Sequence, residues 1–224
     1  MGEGSIRCAW LLLAGVIAAA ASAACSRAEG STASASLPGK ELFRACVSCH
    51  GDDGRGNRTI GAPPIAGLPS WYVEAQLTKF RSGLRGAHPD DHEGLRMRPM
   101  ARQMMNEGEV KSVAAYVGSL PAAHTGRTLE GGNATAGAAS FAPCVACHGP
   151  AGQGNEQLKA PTIAGQADWY LFAQLKKFKA GVRGANPKDA QGALMRPMAQ
   201  TLANEQAMLD VVTHVASLPR QGTP

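Results

Sequence analysis

The chain has 224 residues, a net charge of +5 and 44% hydrophobic residues. That length admits one large domain or two small ones. The charge divides as +2 over residues 37–126 (11 basic, 9 acidic) and +3 over 127–224 (9 basic, 6 acidic). No half is strongly basic, so nucleic-acid binding is not implied.

Arg7 precedes an apolar stretch from about Cys8 to Ala20, and the small residues Ala21-Ser22-Ala23-Ala24 follow. That order is the pattern of an export signal over residues 1–24. The stretch is short for a membrane span and has no stop-transfer charges. Cys25 comes next and resembles the lipidated first residue of a bacterial lipoprotein, although Ser22 stands where such signals usually have Leu. The alternative is cleavage after Ala23. Residues 25–37 are rich in Ser and Ala and read as a flexible tether.

Pro38 sits at a favoured first helical position, and a helix is expected to run from it to Cys46-Val47-Ser48-Cys49-His50. Cys-x-x-Cys-His is the attachment signature of a c-type haem. Two thiols bond the vinyl groups and the adjacent His binds iron. Two Cys-x-x-Cys pairs are also compatible with zinc or with thiol–disulfide exchange. Neither explains a His after each pair, because Cys144-Val145-Ala146-Cys147-His148 repeats the pattern.

The repeat extends far beyond this motif. Phe43 to Pro121 matches Phe141 to Pro219 at a constant offset of 98 without a gap, and about half the positions are identical. An ungapped internal match of that length means two copies of one fold. The expected domains are 38–121 and 137–220, joined by a Gly/Ala/Thr-rich connector over 122–136.

Within each copy the elements are helical, and no strand pattern competes. Ser70 and Asp168 are candidate N-caps for helices through Trp71–Ser82 and Trp169–Ala180, with Gly83 and Gly181 at their ends. A loop then carries Met97-Arg98-Pro99-Met100, repeated as Met195-Arg196-Pro197-Met198. A thioether is a soft ligand suited to haem iron, so one Met of each pair is expected on iron and the other in packing. Asn106 and Glu109 form a capping box for the last helix. Its inward face is Val110, Val113, Ala114, Val117 and Leu120, and the counterpart is Met208, Val211, Val212, Val215 and Leu218. Arg85, Arg183, Arg98 and Arg196 read as solvated, with haem propionates as the alternative partners. His88, His92 and His124 read as surface residues. His214 reads as a packing residue, with the interdomain face as one place for it. Trp71-Tyr72 and Trp169-Tyr170 read as helix-packing aromatics.

With these motifs in place the chain resembles the cytochrome c4 family of two-domain, two-haem class I cytochromes. The likeness covers about residues 38–220. It rests on the two Cys-x-x-Cys-His sites, the Gly-x-Gly-Asn segments after them, Pro-x-Ile-Ala-Gly at Pro63–Gly67 and Pro161–Gly165, and Gln-Leu-x-x-Lys-Phe at Gln76–Phe80 and Gln174–Phe178. It implies an all-α fold of two tandem cytochrome c domains and two covalently bound haems c. Cys46, Cys49, Cys144 and Cys147 would hold them. The resemblance selects Met97 and Met195 opposite His50 and His148, with Met100 and Met198 as alternatives. It also implies that the Pro63 and Pro161 carbonyls accept the Nδ1–H of the ligating His. Leu68 departs from the family's Ala-Gly-Gln, which Gln166 keeps, so the two haem surroundings need not be equivalent.

The function implied is one-electron transfer between periplasmic redox proteins, with a membrane respiratory complex or terminal oxidase as acceptor. A dihaem peroxidase or sulfur-compound oxidoreductase is the rival from another class. A cytochrome subunit dedicated to one dehydrogenase is a second alternative.

Overall fold

A computed structural model describes residues 37–122 and 125–219. The expected signal segment, Cys25, most of the tether and His124 lie outside the described residues. Among those residues every regular element is helical, apart from two isolated bridges, Asn57–Ala62 and Asn155–Ala160.

The first lobe holds α1 (Gly39–His50), α2 (Ser70–Ser82), α3 (His92–Ala101) and α4 (Glu107–Ser119). Helix α4 is the spine, and α1 and α2 pack on it. Its expected face is the core: Val110, Val113, Ala114 and Val117 are buried against Phe43, Leu77 and Phe80. Gly39 lets α1 meet α4, because a Cβ there would run into the Ser112 carbonyl. Phe43 and Tyr116 close this contact with ring centroids 5.2 Å apart. Asn106 caps α4 by accepting the Glu109 N–H at 2.9 Å. The Glu109 carboxylate reaches back to the N–H of Met105, not of Asn106, so the capping box closes one residue early.

The second lobe holds α5 (Ala134–Phe141), α6 (Val145–His148), α7 (Asp168–Lys179), α8 (Ala190–Gln200) and α9 (Glu205–Ser217). Its core joins Phe141 and Leu202 to Met208, Val211 and Val215. Helix α5 begins inside the segment expected as a connector, because Asn133 caps it by accepting the N–H groups of Thr135 and Ala136. His214 lies tilted against Phe141 with ring centroids 5.4 Å apart, a packing contact within its own lobe.

Two expectations are corrected here. Ser70 and Asp168 are first helical residues, not caps, and Pro69 and Ala167 hold the cap positions without a side-chain bond. Both Met-Arg-Pro-Met segments lie on helices, α3 and α8, not in loops. Asp91 and Asp189 supply the caps that start these helices. Proline stops a helix by withholding one N–H and crowding the preceding turn. Pro99 and Pro197 come so near the C-terminal ends that this costs little helix.

Candidate haem centres

Each Cys-x-x-Cys-His sits at the end of a helix, and a glycine turns the chain directly after the His. Gly51 and Gly149 have φ of 78° and 75°. The returning loop then brings a proline carbonyl beside the imidazole: Nδ1 lies 2.8 Å from the Pro63 oxygen in His50 and 2.8 Å from the Pro161 oxygen in His148. A carbonyl only accepts, so Nδ1 carries the proton and Nε2 keeps its lone pair. Gly56 and Gly154 make room for this loop. A Cβ on Gly56 would lie 2.5 Å from the Ala62 oxygen, and one on Gly154 would lie 2.5 Å from the Thr162 nitrogen. This is the physical content of the Gly-x-Gly-Asn motif.

Both histidines are buried, which lowers their pKa, while the bond to proline acts in the opposite direction. The net direction is down, toward a neutral imidazole able to bind a metal. The four thiols are free. Burial, with Cys49 adding to it, pushes the Cys46 thiol up to about 11, and Cys144 is raised for the same reasons. Among the described residues no three His, Cys, Asp or Glu side chains converge as a zinc site requires.

In the second lobe a cavity of about 840 Å³ is lined by Cys144, Cys147, His148, Met195, Met198, Val211 and Val215. The first lobe contributes Trp71, Tyr72 and Lys79 to the lining. Guanidinium Nε atoms of Arg98 and Arg196 are buried without a hydrogen-bond partner. Paired thiols, an imidazole, thioethers and apolar walls fit a haem, whose macrocycle is apolar. In the first lobe Met97 and Cys46 pack against the same core cluster. The Met100 sulfur instead meets the Gln103 amide at 3.6 Å.

The arginines expected in solvent are not there. Arg85 is buried, lies over the Phe80 ring and donates to Gln76, Tyr170 and Gln174. Arg183 lies over Phe178 and donates to Gln174 and Gln76. Each glutamine thus accepts from the arginine of its own lobe and of the other. Tyr170 is therefore an interlobe acceptor as well as a packing aromatic. His88 and His92 are exposed, as expected. Asp168, expected as a cap, is 1% exposed and anchors the connector: it accepts from Thr128 N, Thr128 Oγ1 and Leu129 N at 2.6, 2.6 and 2.7 Å. The repeat alignment carries no signal for this, because the counterpart of Asp168 is Ser70.

The profile of the family described as Cytochrome c matches residues 36–121 and again 134–219. A thiosulfate dehydrogenase electron acceptor from Stutzerimonas stutzeri is 36% identical over 196 residues, which cover 83% of this chain and 87% of that protein. The crystal structure of reduced cytochrome c4 from Pseudomonas stutzeri superposes with a TM-score of 0.66 at 26% identity, covering 81% of this chain and 97% of that one. Thiosulfate dehydrogenase (TsdBA) from Marichromatium purpuratum superposes with a TM-score of 0.63 at 30% identity. That match covers 81% of this chain but only 40% of the other.

Proposed function

This chain belongs to the cytochrome c family, as a two-domain, two-haem class I cytochrome of the c4 type that carries electrons, and from that premise we propose how its residues do so. Cys46 and Cys49 bind one haem, Cys144 and Cys147 the other. His50 and His148 supply the nitrogen ligands, and Met97 and Met195 the sulfur ligands. Bound haem contributes a ferric–ferrous couple that moves one electron at a time. The chain's part would be to hold each haem through two thiols, one imidazole and one thioether and to keep those side chains in place.

The observation that carries this reading is the matched pair of His–Pro bonds. Both lobes present the same oriented, neutral imidazole beside paired thiols, so the two nitrogen ligands are matched. Such outer bonds fix the ring and raise ligand basicity. Met97 is favoured over Met100 by its place against the core beside Cys46, and Met195 follows by register. The Pro63 and Pro161 carbonyls orient the two histidines.

We place the protein in the periplasm, with a membrane respiratory complex as acceptor. Membrane association is assigned to an anchor at Cys25 or to docking; among the described residues no helix is long and apolar enough to cross a membrane. The similarity to a thiosulfate dehydrogenase electron acceptor favours a sulfur-oxidising dehydrogenase as donor. The test is to mix the reduced protein with carbon monoxide and to assay it with peroxide. The carrier reading predicts no rapid binding and no turnover, whereas rapid binding would show an open or labile iron position and turnover with peroxide would show an enzyme.

A further inference from the structure

The two lobes exchange buried ion pairs, and each pair lands on the element that carries the other lobe's Met-Arg-Pro-Met. Lys79 of α2 reaches Asp189 in the second lobe with Nζ 2.6 Å from Oδ1. Lys177 of α7 reaches Asp91 in the first lobe at 2.5 Å and Glu93 at 2.5 Å. Lys177 is the repeat counterpart of Lys79, and Asp189 that of Asp91. The contact is therefore reciprocal, as in a two-fold interface between identical subunits.

The two Lys–Asp pairs are shielded from water, whereas Glu93 is half-exposed. The lysine side chains are 12% and 15% exposed and the aspartates 2% and 4%. The same aspartate oxygens cap the Met-bearing helices, Asp91 accepting from Gly94 N at 3.2 Å and Asp189 from Gly192 N at 3.0 Å. Removing either lysine would take the direct charge partner from a buried carboxylate: Asp189 would keep the helix end, and Asp91 the helix end and the nearby Arg85 charge. The helix start has no slack to absorb this: Gly86 and Gly184 abut Gly94 and Gly192 so closely that a Cβ on either would strike the facing carbonyl.

We propose that Lys79 and Lys177 are positioning residues for the sulfur ligand of the opposite lobe. Each lobe completes the seat of its neighbour's iron by holding the capped start of α3 or α8. This rests on Met97 and Met195 being the sulfur ligands.

The test is potentiometry of the haem-loaded full chain, with the weak far-red absorbance of the sulfur–iron bond followed in parallel. Met97→Ala and Met195→Ala assign the two waves. Lys79→Met is expected to lower the wave assigned by Met195→Ala and to weaken the far-red band, leaving the other wave in place. Lys177→Met should do the reverse, and Lys79→Arg should restore the wild-type values. A lysine that only glues the lobes together would lower thermal stability without this crosswise selectivity, and that result overturns the proposal. If the Met variants move no wave, the ligand reading has failed and the proposal falls with it. If they do and Lys79→Met does not, the proposal alone fails. Should Lys79→Met not load haem, Lys79→Gln retains a donor without the charge and is held to the same expectation.

Discussion

In the first lobe Cys-x-x-Cys-His closes one continuous helix, Gly39–His50, whereas in the second it is reached through Ala134–Phe141, a 3-10 turn over Ala142–Cys144, and the short Val145–His148. Pro143 stands where the first lobe has Ala45, and proline withholds the N–H that a continuous helix would use. A second difference lies beside the proline shelf. Gln166 of the second lobe donates to the Pro64 carbonyl of the first at 3.1 Å. Its counterpart Leu68 is an apolar core residue. The return bond does not exist, and Thr162, the counterpart of Pro64, donates to Gly152 within its own lobe. Through all this the His–Pro distance stays at 2.8 Å in both lobes. Duplicated domains can thus hold their ligand chemistry fixed while diverging where they touch each other and the connector.

Changes at the ligands should break this comparison most severely. Met97→Ala or Met195→Ala should lower the midpoint of its own centre by on the order of 100 mV, within the ~0.8 V over which axial ligands move haem potentials. Spectroelectrochemistry of each variant checks it, and the partner lobe should be unmoved.

Asp168→Ala comes next. It strips the acceptor from Thr128, Leu129 and the Trp169 N–H. The expected loss is about 1–2 kcal/mol in denaturant unfolding, since several part-buried donors lose one shared acceptor. No equivalent exists at Ser70. Burial opposes the Asp168 charge, but hydrogen bonds from Thr128, Leu129 and Trp169 outweigh it and hold the carboxyl below its ordinary value. A depressed carboxylate stabilises the fold above its unfolded pKa of about 3.9. That contribution disappears as pH falls through the lower folded value. The advantage of the wild type over Asp168→Asn should therefore be full at neutral pH and shrink only on the acid side, as acid titration of both proteins would show.

Gln166→Leu makes the second lobe resemble the first. It should cost about 1 kcal/mol and shift the potential of the first lobe's centre, whose proline shelf it holds, more than that of its own. Pro143→Ala is the mildest change. It should extend helical signal in circular dichroism while altering stability by roughly 0.5 kcal/mol or less.

Much of this was legible in the residues. The α4 and α9 faces follow from 3.6-residue periodicity, whereas the His–Pro bond is implied only by the resemblance to the cytochrome c4 family. The interface was not legible. Lys79, Gln76 and Arg85 match Lys177, Gln174 and Arg183 in the alignment, yet identity at a fixed offset is the same whether a side chain serves its own lobe or the other. Solvation of the arginines was the reasonable expectation for exposed cations. It failed because aromatic faces and paired glutamines replace water between the lobes. Met-Arg-Pro-Met was read as a loop because Pro dominates its local signal, while the helix is set by aspartate caps six residues upstream of each first Met.

The central claim is that each iron is held by a His and a Met of its own lobe. Potentiometric titration of the wild type beside Met97→Ala and Met195→Ala tests it most directly. The account predicts two one-electron waves, with each substitution displacing one and leaving the other in place. Unchanged waves in both variants would contradict it.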